Sequence, residues 1–537
     1  MHIIILVCSV LVVWCVGALR RTQQIIKIKK AIQRILQPSL KDGFYNEACP
    51  SDQLDDIYPV HFIDQAAILR SSLVSYTFRY DRVLDAQKLL GSLAKLIDSG
   101  DWRKLGGRLR NNRDGKLEIH VPLHFSSDRP PFRFSHVKFD IDINAHPLAS
   151  RLPEKTGSRP SVQEGFDKFR EFSIPSTLSN DIKNYLRTDE PLICLHINSF
   201  KDSTLVSLTF PHSLADAMGT ASLLQAWAHV LRHHDVETLE KKFQGAREDI
   251  TASMGAADDQ TAQNTKFKLE DKQTTGLSLP VFIARFFLDT LMNRNIETHH
   301  IYLPASFISH LRQQAEEESR LLKGDEDHAV PFVSDGDLIT AWGSRMVLSS
   351  APRKGTAAIC NLFDMRRRLN GLRLASAVYL QNLILPSTTL LTTEEVNSLS
   401  VSQIAFRVRK ALMEQTSDSQ ARSLMRIARN WFASLGTMPL FVGWDTTRVI
   451  AYTDWGKARF LDHADFGPAV VETPGAKGVI SAKPVAYWGT LLSVADNHRD
   501  SFIVYGKDHE GDYWVHAYLR KETWQLIRSE LRQFSAT

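Results

Sequence analysis

Phe210-Pro211-His212-Ser213-Leu214-Ala215-Asp216-Ala217-Met218-Gly219 closes a strand-like run over 204–210 and leads into a helix-like one over 219–232. The strand-like run, TLVSLTF, pairs in pattern with a second at 192–198 across a polar turn near Lys201-Asp202-Ser203, which predicts a hairpin. Pro211 ends the second strand because it has no N–H for the ladder. Beyond the loop, Leu223, Leu224, Trp227, Val230 and Leu231 recur on one helical face. His212 therefore lies in a strand–loop–helix crossover. There an imidazole can turn one nitrogen to a cavity while the backbone holds the other.

The spacing His-x-x-x-Asp says little alone, since the chain contains it at His124/Asp128, His136/Asp140 and His212/Asp216. His124 and Asp128 fall in a polar loop before Pro130-Pro131. His136 and Asp140 fall on an alternating strand over 132–143, FRFSHVKFDIDI, where they share a face but stand about 13 Å apart. Both pairs read as structural or solvated. His212 is left as the candidate base, able to take a proton from an alcohol or amine near neutral pH. Asp216 is placed either to accept a hydrogen bond from that imidazole or to form a salt bridge that fixes the loop.

Composition narrows the class. The chain has 537 residues, 43% hydrophobic and 23% charged, which excludes general disorder and suggests more than one domain. Its 65 basic and 60 acidic residues leave a net charge of only +5, too mild to point to nucleic acid. The 5 cysteines include no CxxC pair, which fits neither a disulfide framework nor a thiolate zinc site and suits a reducing compartment. No P-loop, GxGxxG, HExxH or GxSxG pattern stands in the context it requires. The neighbours His233-His234 and His299-His300 face different ways in a regular element, so no metal site is expected.

Residues 2–19, HIIILVCSVLVVWCVGAL, are almost wholly apolar. As a helix they reach about 27 Å, enough for a bilayer core. Arg20, Arg21, Lys27, Lys29, Lys30 and Arg34 follow, which by the positive-inside rule places the remaining chain in the cytosol. A cleaved signal peptide ending near Val16 and Ala18 is the alternative, but no basic residue precedes the apolar run. The expectation is a single-pass membrane protein of the endoplasmic reticulum. Its anchor is 1–20, and 21–56 is a basic amphipathic segment and linker suited to an anionic membrane surface.

Helices are expected over 85–98, 219–232, 279–292, 304–322, 334–348, 393–415 and 522–534, with strands among them at 117–121, 298–303, 357–363, 502–506 and 513–519. The start of the 393–415 helix is read as Thr393-x-x-Val396, a capping-box spacing without its glutamate. The polar, aperiodic stretch 244–278 is the expected crossover linker.

Seven motifs then line up in order over about 58–535: His61-x-x-Asp64-Gln65, Trp102-x-x-Leu105-Gly106-Gly107-Arg108-Leu109, His212-x-x-x-Asp216, Ser334-x-Gly336-Asp337-x-x-x-x-Ala341-Trp342, Asp364-x-Arg366-x-Arg368-Leu369, Thr453-Asp454-Trp455 and Asp465-Phe466-Gly467. Together they resemble the BAHD-type CoA-dependent acyltransferases, in style the fungal members, of the chloramphenicol-acetyltransferase-like superfamily. Two positions depart from that pattern: Ala217 stands where the family usually has glycine, and Pro468-Ala469 follow the Asp-Phe-Gly in place of Trp-Gly.

The resemblance implies an α/β fold with two chloramphenicol-acetyltransferase-like domains, each a mixed sheet flanked by helices, here at 57–243 and 279–537. It implies a channel between them with His212 as general base, and Thr453 and Trp455 near the oxyanion and acceptor. Asp216 paired with Arg366, together with Asp465 and Gly467, would support the site without doing chemistry. Acyl-CoA would be a co-substrate with no permanently bound cofactor, the acceptor a hydroxyl or amine of a small apolar secondary metabolite, and the protein a monomer. A catalytically inactive ligand-binding relative and an esterase-like hydrolase are the alternatives.

Overall fold

The computed structural model describes residues 55–536 apart from residue 294 and segments 324–331, 351–354, 371–376, 436–437, 439–440, 445–446, 472–480 and 493–497. Its strands are β1 (Asp56–Pro59), β2 (Leu73–Tyr80), β3 (Arg108–Asn111), β4 (Leu117–Val121), β5 (Arg133–Lys138), β6 (Ser161–Glu164), β7 (Cys194–Ser199), β8 (Thr204–Pro211), β9 (Ile296–Leu303), β10 (Ala357–Asp364), β11 (Ile384–Leu391), β12 (Arg448–Asp454), β13 (Ala486–Leu492), β14 (Ser501–Lys507) and β15 (Tyr513–Arg520). The longer helices are α1 (Ala86–Ile97), α2 (Ala217–His233), α3 (Ser278–Met292), α4 (Ala305–Lys323), α5 (Asp335–Ser350), α6 (Val401–Gln415), α7 (Asp418–Leu435) and α8 (Lys521–Ala536).

Three sheets organise the α/β fold. One has the order β13-β2-β8-β7-β5, a second β11-β10-β12-β14-β15-β9-β6, and a small third β1-β4-β3. Both large sheets are mixed: β5 runs parallel to β7, and β10, β12 and β14 run parallel to one another, while the remaining pairs are antiparallel. Two strands are exchanged. β6, from the first half of the chain, pairs with β9, and β13, from the second half, pairs with β2.

β2 and β8 lie at the middle of the five-stranded sheet and are buried along nearly their whole length. Their polar residues are matched across the ladder. Ser75 faces Thr209 and Thr77 faces Ser207, and each pair of hydroxyls is hydrogen-bonded at 2.9 Å. This satisfies the groups that burial would otherwise penalise. Helix α1 starts where Asp85 accepts from the N–H groups of Gln87 and Lys88, an N-cap, and buries Leu89, Leu93, Leu96 and Ile97. Its Ser92 accepts from the indole of Trp227 on α2 at 2.9 Å, so α1 and α2 cover the same face.

The hairpin before His212 is present as β7 and β8, and α2 begins two residues earlier than its apolar periodicity suggests. The helix expected over 393–415 is broken in two. Thr392, one position earlier than expected, forms a full capping box with Glu395, and Ser400 forms a second with Gln403 at the start of α6. Each cap satisfies otherwise orphaned N–H groups, which is why the chain restarts there.

The expected transmembrane helix and single-pass membrane location are corrected. Among the described residues no helix is long and apolar enough to cross a membrane. The apolar run 2–19 and the basic segment after it lie outside the described residues.

Candidate active site

His212 follows the last residue of β8. Its backbone N–H donates to the Ser72 carbonyl at 2.9 Å, continuing the β2–β8 pairing by one step. The side chain lies on the wall of a cavity of about 890 Å³. Nδ1 is buried, without a hydrogen bond of ordinary geometry, so Nε2 is the nitrogen the cavity reaches. Burial lowers the pKa of the imidazole, opposed by its own backbone, the charge of Asp216 and the Ala215 backbone. The neutral form, able to accept a proton, is thus favoured.

One face of the seven-stranded sheet lines the same cavity. Successive rows place Cys360 beside Ala451, and Leu362 beside Thr453, which is itself beside Ile503. The Trp455 indole donates to Thr453 Oγ1 at 3.1 Å, which leaves the threonine hydroxyl hydrogen free to point at a ligand. Trp455 is held between Tyr76, Phe460 and Tyr505. The thiol of Cys360 is pushed up to about 11 by burial, which keeps it protonated and unsuited to act as a nucleophile.

The structure brings Asp216 and Arg366 together. Arg366 Nη1 donates to Oδ2 and Nη2 to Oδ1, both at 2.9 Å; Asp216 is buried and Arg366 nearly so. Asp216 Oδ1 also accepts from the Gly219 N–H at 2.8 Å, and Oδ2 from the Leu383 N–H at 2.9 Å. With each oxygen engaged twice, the carboxylate serves as the N-cap of α2 and an anchor for 383. It is not a hydrogen-bond partner of the imidazole. Burial disfavours the charged guanidinium of Arg366, but Asp216 and then Asp364 outweigh it and raise its pKa.

The two family departures are accommodated locally. Ala217 is the first helical residue after the Asp216 cap and has no need of a positive φ. Pro468 falls in the first turn of the short helix Gly467–Ala469, where a missing N–H costs nothing. The strict glycine requirement is instead at Gly219, where a Cβ would stand 1.8 Å from the Leu380 carbonyl oxygen. Gly219→Ala is expected to lose about 1–3 kcal/mol of stability, because backbone must move to make room. Urea unfolding checks this against the wild type.

Asp465 and Gly467 are set back from the cavity lining. Asp465 accepts from the N–H groups of Gly467 and Ala482, from Ser481 Oγ and from Arg232 Nη2 near the end of α2. Burial raises its pKa, but those four donors together lower it below the usual carboxylate range. The decoy pairs remain apart from the cavity. His136 bonds Ser199 Oγ at 2.9 Å, Asp140 is 99% exposed beside Lys201, and His124 and Asp128 are exposed.

The segment Tyr379-Leu380-Gln381-Asn382-Leu383 also belongs to the site and is missed by sequence motifs. Asn382 Nδ2 donates to the His212 carbonyl at 2.7 Å, and the Gln381 carbonyl accepts from Arg366 at 2.8 Å. Its trace in the sequence is the polar Gln381-Asn382 pair inside an otherwise apolar run, YLQNLIL.

A family model described as the transferase family matches residues 166–468. The chain is 53% identical over 501 residues to the acetyltransferase BOT5 of Botryotinia fuckeliana, covering 89% of this chain and 91% of that protein. The chain belongs to the BAHD-type acyltransferases. It is also 35% identical over 494 residues to the O-acetyltransferase PaAT-2 of Phomopsis amygdali, covering 89% of this chain and 98% of the relative. In fold it is similar to TRI101 of F. sporotrichioides, whose crystal structure holds coenzyme A and T-2. The TM-score is 0.61 at 14% identity, covering 88% of this chain and 97% of the other. The acyltransferase is a CoA-dependent O-acyltransferase with acyl-CoA as its co-substrate.

A lowered pKa at His212 sets the sign of the pH response that a base at this position would give. Such a base works unprotonated, so kcat/KM should be lost as pH falls. The midpoint of that acid limb should lie below about 6.5, the ordinary histidine value. A pH series of CoA thiol release measures it.

Proposed function

We propose that the enzyme moves an acyl group, acetyl or longer, from coenzyme A to a hydroxyl (or amine) of a small apolar secondary metabolite, with His212 as general base. The observation that carries this is the His212 imidazole on the cavity wall, with Nε2 open to the cavity and its motif aspartate fully engaged elsewhere. The names of the two fungal relatives favour acetyl. Side chains such as Ile63, Leu69, Val74, Leu412 and Phe441 along the cavity suit an apolar acceptor.

In the proposed step, Nε2 of neutral His212 takes the acceptor O–H proton as the oxygen attacks the thioester carbonyl. The new C–O bond leaves a tetrahedral oxyanion. Thr453, its oxygen already taken by the Trp455 indole, donates its hydroxyl hydrogen to that charge. Collapse breaks the C–S bond, and the imidazolium returns the proton to the departing sulfur. The products are the acyl ester and free CoA thiol. Asp216, Arg366, Asp465 and Gly467 hold the loops and touch no reacting atom.

The same reading keeps 57–243 and 279–537 as two acyltransferase domains linked through 244–278. The core under the seven-stranded sheet, drawn from residues 301–531, supports it; the core under the five-stranded sheet comes mainly from 58–246, with Leu380 and side chains between Ala458 and Ala482 packed into it.

The test uses the full chain with a panel of acyl-CoAs and a metabolite extract. Thiol release matched by products heavier by one acyl group is expected. Thiol release without acylated product would instead show hydrolysis. Tight ligand binding without turnover by any donor would show a binding protein.

A further inference from the structure

The motif His61-x-x-Asp64 lies away from the reacting face, yet it reaches the base in two hydrogen bonds. Asp64 is wholly buried in the short helix Ile63–Gln65. Its Oδ1 accepts from the Asn382 backbone N–H at 3.0 Å and from Asn382 Nδ2 at 2.6 Å. The same Nδ2 donates its second hydrogen to the His212 carbonyl at 2.7 Å. Residues 379–383 thus form a strap across the back of the catalytic loop, touching Arg366 through the Tyr379 and Gln381 carbonyls and Asp216 through the Leu383 N–H.

The strap is also held from behind. Tyr379 Oη meets His61 Nδ1 at 2.8 Å. With its amide oriented to satisfy both ends, Gln381 donates to the Gly245 carbonyl at 2.8 Å. Its oxygen accepts from Lys104 Nζ at 2.6 Å and His61 Nε2 at 2.9 Å. Burial raises Asp64 and lowers Lys104 and His61. The charged or titratable groups around the base and its strap include Asp216, Arg366, Asp364 and Tyr76 beside the loop, with His61, Asp64, Lys104, Tyr379 and Asp249 behind.

We infer that Asn382, anchored by Asp64, is a positioning residue for catalysis: it fixes the His212 carbonyl and through it the aim of the imidazole. His212's own backbone is among the groups that act on its ring. The Asn382 amide sets the direction of that carbonyl, and with it the backbone that carries the ring, whose Nδ1 makes no hydrogen bond of ordinary geometry. The inference rests on the reading of His212 as base, and it gives the first motif of the chain a role.

Asn382→Ala is expected to lower kcat about 10–100-fold, the scale of a misaimed reacting group, with KM for acyl-CoA and acceptor within about twofold. The acid limb of kcat should move to higher pH, because a carbonyl released from Asn382 is free to turn toward Nδ1–H and stabilise the imidazolium. A merely structural role would lower stability without moving that limb. Asp64→Asn keeps the Oδ1 acceptor and should hold kcat within about threefold, whereas Asp64→Leu should behave like Asn382→Ala. Should the alanine variant not fold, Asn382→Ser, too short to bridge both acceptors, should show the same displaced limb. A folded Asn382 variant with unchanged kcat and limb overturns the inference, as does Asp64→Asn falling as far as Asp64→Leu. His212→Ala measured alongside separates the readings: full activity there sinks the base itself, whereas its loss beside intact Asn382 variants sinks only the strap.

Discussion

Replacing His212 with alanine is expected to lower kcat for acyl transfer by about 10²–10⁴-fold, the range a positioned general base contributes. KM for acyl-CoA should change little, because the cavity is built mainly from other elements: β10, β12, α5 and α6 all line it. Rescue by a neighbouring group is not expected. The nearest acid in the motif, Asp216, has both oxygens engaged by Arg366 and two backbone N–H groups. Cys360 is held protonated by burial. Thiol release under saturating acyl-CoA and acceptor, compared with wild type, measures the drop. Release that persists unchanged would remove His212 from the mechanism.

Asp216→Ala should act first on stability. Removing one partner of a buried ion pair costs about 3–5 kcal/mol, since the remaining charge is left in a dry site. Among the described residues Arg366 would keep Asp364 as its counter-charge, and the Gly219 and Leu383 N–H groups would lose their acceptor. Residues 216–219 and 383 would be released together, so kcat should fall even in the fraction that folds. Denaturant unfolding of Asp216→Ala, Arg366→Ala and the double variant forms a cycle. The double variant should be clearly more stable than the sum of the two losses predicts, because each single change leaves an unpaired partner. Strict additivity would mean that the pair does not act as a unit.

Much of this site was readable in one dimension because its signals are local. The β8–loop–α2 passage carries its own hairpin, proline stop and amphipathic face, and those features separate His212 from two decoys of identical spacing. The Asp216–Arg366 partnership spans 150 residues and was reachable only through the family resemblance. Asn382 stayed hidden for the same physical reason: its bonds reach 170 residues to His212 and 318 to Asp64, and no periodicity reports a contact of that range. β11 and β13 were also missed. β11 contains Pro386 and sits at the end of its sheet, where a missing N–H is tolerated. β13 contains Gly489, where a Cβ would stand 2.5 Å from the Trp455 ring. Pattern reading takes both residues as strand breakers, and only the tertiary setting shows why they are allowed.

The exchange of β6 and β13 has a consequence for synthesis. β2 has β8 on one flank and β13 on the other. While the chain is still emerging, the β13 flank of β2 is an open row of backbone donors and acceptors. The roughly 275 residues between Pro211 and Ala486 take about 14–55 s to add at 5–20 residues per second. For that interval β2, the neighbour of the strand that leads to His212, has an unfinished edge prone to pair with a neighbouring nascent chain. Yield in the cell should therefore depend more on chaperone supply and growth temperature than on the stability of the finished enzyme.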